Sequence, residues 1–283
     1  MDPVQLLREG ELEVRGRLTV SSNAALVGVV GLAPSDGEVA IRLGAADGLL
    51  ARLLGDDRSG AAGEDAAAEP AGDEALSNPN RTLAAVVYKP IAFERPLWDF
   101  PDGTLAHREV AAYLVSEATG WGIVPPTILR DGPAGPGMVQ LWLDEDPAVD
   151  AWELVETADR RLRPMALLDA VLNNTDRKGG HILPVEDGDD VHLYGVDHGV
   201  CFSVDPKLRT VLWAWRGTPI EPDELVVLER LRADFDGSLG AALRELLDPD
   251  EVAATRSRID DLTGSARFPE PPIDWPAVPW PPF

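Results

Sequence analysis

Residues 163–199 constrain this chain most. An apolar segment from Arg163 to Asn174, with Pro164 near its start and Met165, Leu168 and Leu172 at helical spacing, reads as a helix. It runs into Thr175-Asp176-Arg177-Lys178-Gly179-Gly180, and two short apolar stretches follow, His181–Val185 and Val191–Val196. These predict strands joined by the acidic, glycine-bearing turn Glu186–Asp190, whose acids fit a solvated turn. The second strand ends on Asp197-His198-Gly199. Two carboxylates, Asp176 and Asp197, therefore stand at the ends of regular elements. Gly179, Gly180 and Gly199 allow tight turns beside them, and Arg177 is suited to brace the loop through fork-like hydrogen bonds. Either loop alone is more often an ordinary turn than a site; the order and spacing of both are what carry weight.

Upstream, residues 3–9 read as a short helix, Glu11–Val20 as a strand and Leu26–Val30 as a second strand. The turn between them holds Ser21, Ser22 and Asn23, whose N–H groups and side chains suit a phosphate, although a plain hairpin reads the same way. From about 55 to 80 the chain is Ala, Gly, Asp and Glu with almost no large apolar residue, and is expected to be a disordered acidic loop. It carries seven acids and one arginine, so of the formal charge of −24, −18 belongs to the rest. That balance argues against nucleic acid and against simple electrostatic docking on anionic lipid.

Leu83–Pro90 reads as a strand delivering Lys89 at its end, and His107–Thr119 as a helix closed by Gly120. Glu109 is the first choice of partner for Lys89, and Glu117 the second. Between them, Trp98 and Phe100 read as packing residues and Arg95 as a candidate phosphate contact. Gly137–Leu143 reads as a buried strand. Beyond Asp197, Trp213 and Trp215 fit either a substrate-side loop or the core. The segment 222–261 reads as helical from its leucine spacing. Phe268–Phe283 is too rich in proline for a helix, and either packs its tryptophans on the domain or offers them to a partner. The single cysteine, Cys201, makes no internal disulfide and fits a buried thiol in a reducing cytosol. The longest apolar run is too short to span a bilayer and the opening residues lack a signal-peptide pattern, so the expectation is a soluble, cytoplasmic protein without integral membrane association.

Several stretches together resemble a family of uncharacterised actinobacterial proteins described as similar to phosphatidylinositol 3- and 4-kinases. They are Tyr88-Lys89-Pro90, Glu94-Arg95-Pro96-Leu97-Trp98-Asp99-Phe100, Gly137-Met138-Val139-Gln140 and Asn173–His181. The resemblance implies a mixed α/β, bilobal kinase-like fold: a β-rich N-lobe to about 140, a mainly helical C-lobe over 141–267, and a Pro/Trp tail from 268. It implies ATP and Mg2+ or Mn2+ as cofactors. By position, Lys89, oriented by Glu109, would hold phosphates beneath Ser21, Ser22 and Asn23, and the adenine would meet backbone near Gln140, Leu141 and Trp142. Asp176 would act on the acceptor hydroxyl with Lys178 and Arg177 beside it, and His181 and Asp197 would hold the metal. His181 stands where lipid kinases have asparagine, Lys178 where they have histidine, and His198 replaces the aromatic of Asp-Phe-Gly. An imidazole suits softer cations than magnesium, hence an expected manganese preference or weak activity. The acceptor is expected to be a protein or a small hydroxylated molecule rather than a phosphoinositide. The alternatives are a nucleotide-binding pseudokinase scaffold and an AMP transferase on the same fold. The oligomeric state stays open.

Overall fold

A computed structural model describes residues 2–18, 25–33, 42–43, 49 and 81–283. The turn Ser21-Ser22-Asn23 and the acidic stretch 55–80 lie outside the described residues. The chain has a mixed α/β fold and divides into two compact units, residues 1–106 with 125–144, and residues 107–124 with 145–283.

The first unit is built on a sheet. Helix α1 (Pro3–Glu9) starts on Asp2, whose carboxylate accepts the Val4 N–H, and has Pro3 at its first turn. Strands β1 (Glu11–Arg17), β2 (Leu26–Leu32), β4 (Thr82–Pro90), β5 (Thr127–Gly132) and β6 (Gly135–Leu141) form the order β1-β2-β4-β6-β5 with antiparallel neighbours, and the short β3 (Arg42–Leu43) pairs with β4 in parallel. The side-chain period of two sorts β4 onto both faces of the sheet. Ala84, Val86 and Tyr88 join Leu6 and Leu7 of α1 in one buried cluster, while Leu83 and Ala85 join Val27, Val29 and Leu49 in another. Lys89 follows the second set, on the face away from α1. Apolar residues on both faces are what a central strand requires, and β4 lies mid-sheet.

The second unit is mainly helical: α2 (Leu105–Thr119), α3 (Ala151–Glu156), α4 (Arg163–Leu172), α5 (Pro222–Asp234), α6 (Ser238–Arg244) and α7 (Pro249–Ser265), plus a hairpin of β7 (Ile182–Asp187) and β8 (Asp190–Gly195) turning at Gly188. Helix α4 is its centre, with every residue from Met165 to Leu172 buried. Helices α5 and α7 each begin with a capping box, Glu221 with Glu224 and Asp248 with Glu251.

Almost all of α2 belongs to this second unit, whereas the sequence places the first lobe's boundary at about 140. The reason is a set of buried polar contacts that helical periodicity does not announce. Arg108 donates from Nη1 to the Cys201 carbonyl at 2.7 Å and pairs through Nη2 with Glu251. The Ser116 hydroxyl accepts the N–H groups of Ile123 and Val124 at 2.9 and 3.0 Å.

Candidate active site

Helix α4 ends where its backbone turns left-handed at Asn173 (φ 51°, ψ 52°), a conformation asparagine adopts more readily than most residues. The Asn173 amide then ties down a distant segment, donating to the carbonyls of Ser203 and Asp205 at 3.0 and 2.7 Å and accepting the Lys207 N–H at 3.1 Å. Asn174 donates to Asp169 and accepts the Asp176 N–H at 3.0 Å, a local turn that sets the direction of the loop. From α7, Arg258 donates to the Val171 and Ser203 carbonyls at 2.8 and 3.1 Å, placing a cation at the C-terminal end of α4. Burial pulls the Arg258 guanidinium down to about 10.

Arg177 joins both halves of the site. It is fully buried; Nε and Nη2 donate to the Asp169 carboxylate, and Nη1 donates to the carbonyls of His181 and Val196 at 3.1 and 2.9 Å. Nη2 also lies 2.6 Å from His198 Nε2. Since the guanidinium can only donate, that imidazole nitrogen accepts and its proton belongs on Nδ1. Gly195 leaves room for this arrangement: a Cβ there would stand 3.1 Å from Arg177 Nη2. With its donors spent inside the fold, Arg177 braces the loop and the turn after β8 against each other.

Asp176 is held from both sides. Its Oδ1 accepts from Arg209 Nη2 at 3.0 Å and its Oδ2 lies 3.1 Å from Lys178 Nζ, with about a quarter of each side chain exposed. Arg209 also donates from Nε to the Thr175 carbonyl at 2.8 Å, and the segment runs in parallel beside the loop through the bridge Arg177↔Thr210. No motif announces Arg209, which lies 33 residues from Asp176. Asp169 did carry a signal, as the one acid inside an otherwise apolar helix face.

His181 ends the 3-10 turn Gly179–His181 and faces Asp197, Nε2 to Oδ2, at 3.6 Å. Burial lowers its pKa most; the nearby Arg177 and Lys178 charges lower it too, while Asp197 and Asp176 oppose them. Its Nδ1 is buried without a hydrogen-bond partner. Asp197 is half-exposed and has φ 62°, the left-handed region that a residue with a Cβ enters at a cost of about 1 kcal/mol or more. The turn is fixed by Glu109 of α2, whose Oε2 accepts the His198 N–H at 2.9 Å. Glu117 is exposed. His181 Nε2 and Asp197 Oδ2 are an imidazole nitrogen and a carboxylate oxygen, donor types that divalent cations accept, while the unpaired Nδ1 belongs to the other nitrogen of the ring and does not face Asp197. Among the described residues no group of three or more His, Cys, Asp or Glu side chains comes together, so these two would need water or ligand oxygens to complete a coordination shell.

In the first unit, Lys89 is half-buried at the end of β4 opposite Met138. Gln140 is buried and donates from its side chain to Thr127 Oγ1 at 2.8 Å. The Leu141 N–H donates to the Pro126 carbonyl and the Trp142 N–H to the Ala85 carbonyl. These two N–H groups are thus bonded to the unit's own backbone. Trp98, read as a packing residue, is 85% exposed, whereas Phe100 is buried. Trp215 is buried in a cluster with Arg163 and Phe268, and Trp213 donates from Nε1 to the Ala277 carbonyl, so both are occupied structurally.

No protein-family model matches the chain. A golgi casein kinase structure aligns with 93% of this chain and 73% of its own at 14% identity and a TM-score of 0.49; the Helicobacter pylori proinflammatory kinase CtkA aligns with 65% and 85% at 13% identity and a TM-score of 0.36. Among curated proteins, Phosphatidylinositol 4-kinase gamma 4 of Oryza sativa subsp. japonica is 30% identical over 156 residues, which is 48% of this chain but only 28% of the rice protein. Protein Rv2133c of Mycobacterium tuberculosis is 45% identical over 230 residues, covering 68% of this chain and 82% of that protein. On that identity and coverage, the chain belongs to the family of Protein Rv2133c.

Proposed function

We propose that the protein is an ATP- and divalent-metal-dependent phosphotransferase. One observation carries the reading: Arg177 ties the loop bearing Asp176, Lys178 and His181 to the turn bearing Asp197, and leaves His181 and Asp197 facing each other at 3.6 Å. Phosphoryl transfer needs little covalent help from a protein; it needs the nucleotide's charge neutralised and the acceptor hydroxyl oriented. In this reading His181 and Asp197 would hold the cation, which would supply charge neutralisation for the nucleotide phosphates. Asp176 orients or deprotonates the acceptor, and Lys178 compensates charge near the transferred group. Lys89 binds the phosphates. The sequence similarity to a phosphatidylinositol 4-kinase supports the nucleotide and the reaction class. The acceptor proposed is a protein or a small hydroxylated molecule, because a chain with a net charge of −24 is repelled by an anionic lipid surface. The metal proposed is Mn2+ or Mg2+, with manganese favoured by the imidazole.

A second reading is favoured by a specific contact. Both carboxylate oxygens of Asp176 are engaged, by Lys178 and Arg209, as they would be in a nucleotide-binding scaffold with no acceptor to orient. Incubation with ATP and Mn2+ or Mg2+, followed by mass analysis of the nucleotide and of protein and polyol acceptors, separates the readings. Phosphotransfer yields ADP and a phosphorylated product. AMP transfer yields pyrophosphate and an adenylylated one, and a scaffold leaves ATP intact.

A further inference from the structure

The Pro/Trp segment from 268 to 283 has no part in the reaction just described, yet one of its carbonyls meets the candidate loop and another meets the segment beside it. The Ala277 carbonyl accepts both the Thr210 N–H at 3.0 Å and the Trp213 Nε1–H at 2.7 Å. Thr210 is the residue bridged to Arg177, and its neighbour Arg209 holds Asp176. The tail thereby secures the segment that secures the aspartate. Further on, the Pro282 carbonyl accepts the Gly179 N–H at 2.8 Å. Gly179 opens the 3-10 turn that ends on His181 and directly follows Lys178.

Side chains reinforce the second contact. Phe283 lies edge-on to Trp152 of α3, with centroids 6.0 Å apart and planes at 85°. Gly179 sits beneath both rings: a Cβ there would fall 2.6 Å from Phe283 Cδ2 and 2.8 Å from Trp152 Cε3. Its φ is not in the left-handed region, so the absence of a side chain serves this close approach and not a backbone turn. A third point is Trp275, whose ring lies 5.5 Å from Lys207 Nζ; the Lys207 N–H in turn bonds Asn173 at the head of the loop. The prolines make such a strap inexpensive to order, since each fixes its own φ and restricts the residue before it.

We propose that residues 275–283 are a positioning element of the candidate active site, setting the geometry of the loop that carries Asp176, Lys178 and His181. The loop-holding half stands on the contacts alone; coupling of the tail to metal and nucleotide rests on the phosphotransferase reading. By linkage, tail docking and occupancy of the His181–Asp197 pair then favour each other by the same factor.

The test uses the full-length chain with Phe283→Ala and Gly179→Ala, and Phe283→Tyr as the conservative control. Phe283 is largely exposed and contributes little to the core, so its removal leaves the unit folded. Hydrogen exchange is followed over 173–183 and, as reference, over α5; binding of Mn2+ with ATP is measured by titration. The proposal expects exchange at 179–183 to rise about tenfold in both variants with α5 unchanged, and to return to wild type in Phe283→Tyr. It expects Mn2+–ATP affinity to fall several-fold in the two disrupting variants only. Unchanged exchange in both, or a rise shared equally by α5, overturns it. Faster loop exchange in a protein whose wild type ignores Mn2+ and ATP supports the positioning role and removes the phosphotransferase reading instead.

Discussion

Arg177 and Asp169 form an ion pair in which neither side chain is exposed, with Nη2 3.0 Å from Oδ1. Breaking one partner of a buried pair strands the other charge, which typically costs 3–5 kcal/mol. Arg177→Ala is therefore expected to destabilise the second unit by roughly 3–5 kcal/mol in urea unfolding. Arg177→Lys should recover only part of it, because one ammonium cannot span Asp169 and the carbonyls of His181 and Val196 together.

The pair on either side of Asp176 is expected to behave differently. Lys178 and Arg209 are each about a quarter exposed, and water screens such contacts. Lys178→Ala and Arg209→Ala should each cost about 1 kcal/mol or less in the same unfolding assay. A loss near that of Arg177→Ala would contradict this ranking.

His181 makes stability depend on pH. Its pKa is lowered in the folded protein, chiefly by burial, so the unfolded chain takes up the proton first as pH falls. The His181 contribution is fully present above its ordinary value of about 6.5 and is lost as pH drops below it through the folded value. His181→Asn should flatten that part of a stability-versus-pH curve. An unchanged curve would show that the ring titrates as it does in water.

Cys201 is fully buried, and desolvation raises its pKa well above the ordinary thiol value. The thiolate is the reactive form, so alkylation by iodoacetamide at mildly alkaline pH is expected to be undetectable in the native protein and rapid once urea unfolds it. Native-state labelling on the unfolded timescale would contradict the burial.

The elements of the fold were legible where the signal is local. The strand delivering Lys89, the helix ahead of Asp176, the β7–β8 hairpin and the closing helices follow from spacing, proline and glycine. The stretches that carry Asp176, Lys178, His181 and Asp197 were likewise legible as the two flanks of that hairpin, their roles being the proposal made above. Arg209 and the Glu109 contact to His198 were not legible, because each joins segments 33 and 89 residues apart whose pairing only the packed helices decide. The same holds for α2, whose periodicity announces a helix but not the Arg108–Glu251 pair that anchors it to the second unit. The tail's proline content excluded a helix, yet only the Gly179–Phe283 contact reveals where its end lies.

The central claim is that Asp197 and His181 hold a metal–nucleotide complex, and a thermal-shift titration with ATP plus Mn2+ or Mg2+ on wild type and Asp197→Ala tests it most directly. The account predicts that ATP with metal raises the wild-type Tm in proportion to the logarithm of ligand concentration above Kd, and that Asp197→Ala, still folded, loses the response. A wild type indifferent to every nucleotide–metal pair, or a mutant that responds as well as the wild type, would contradict it.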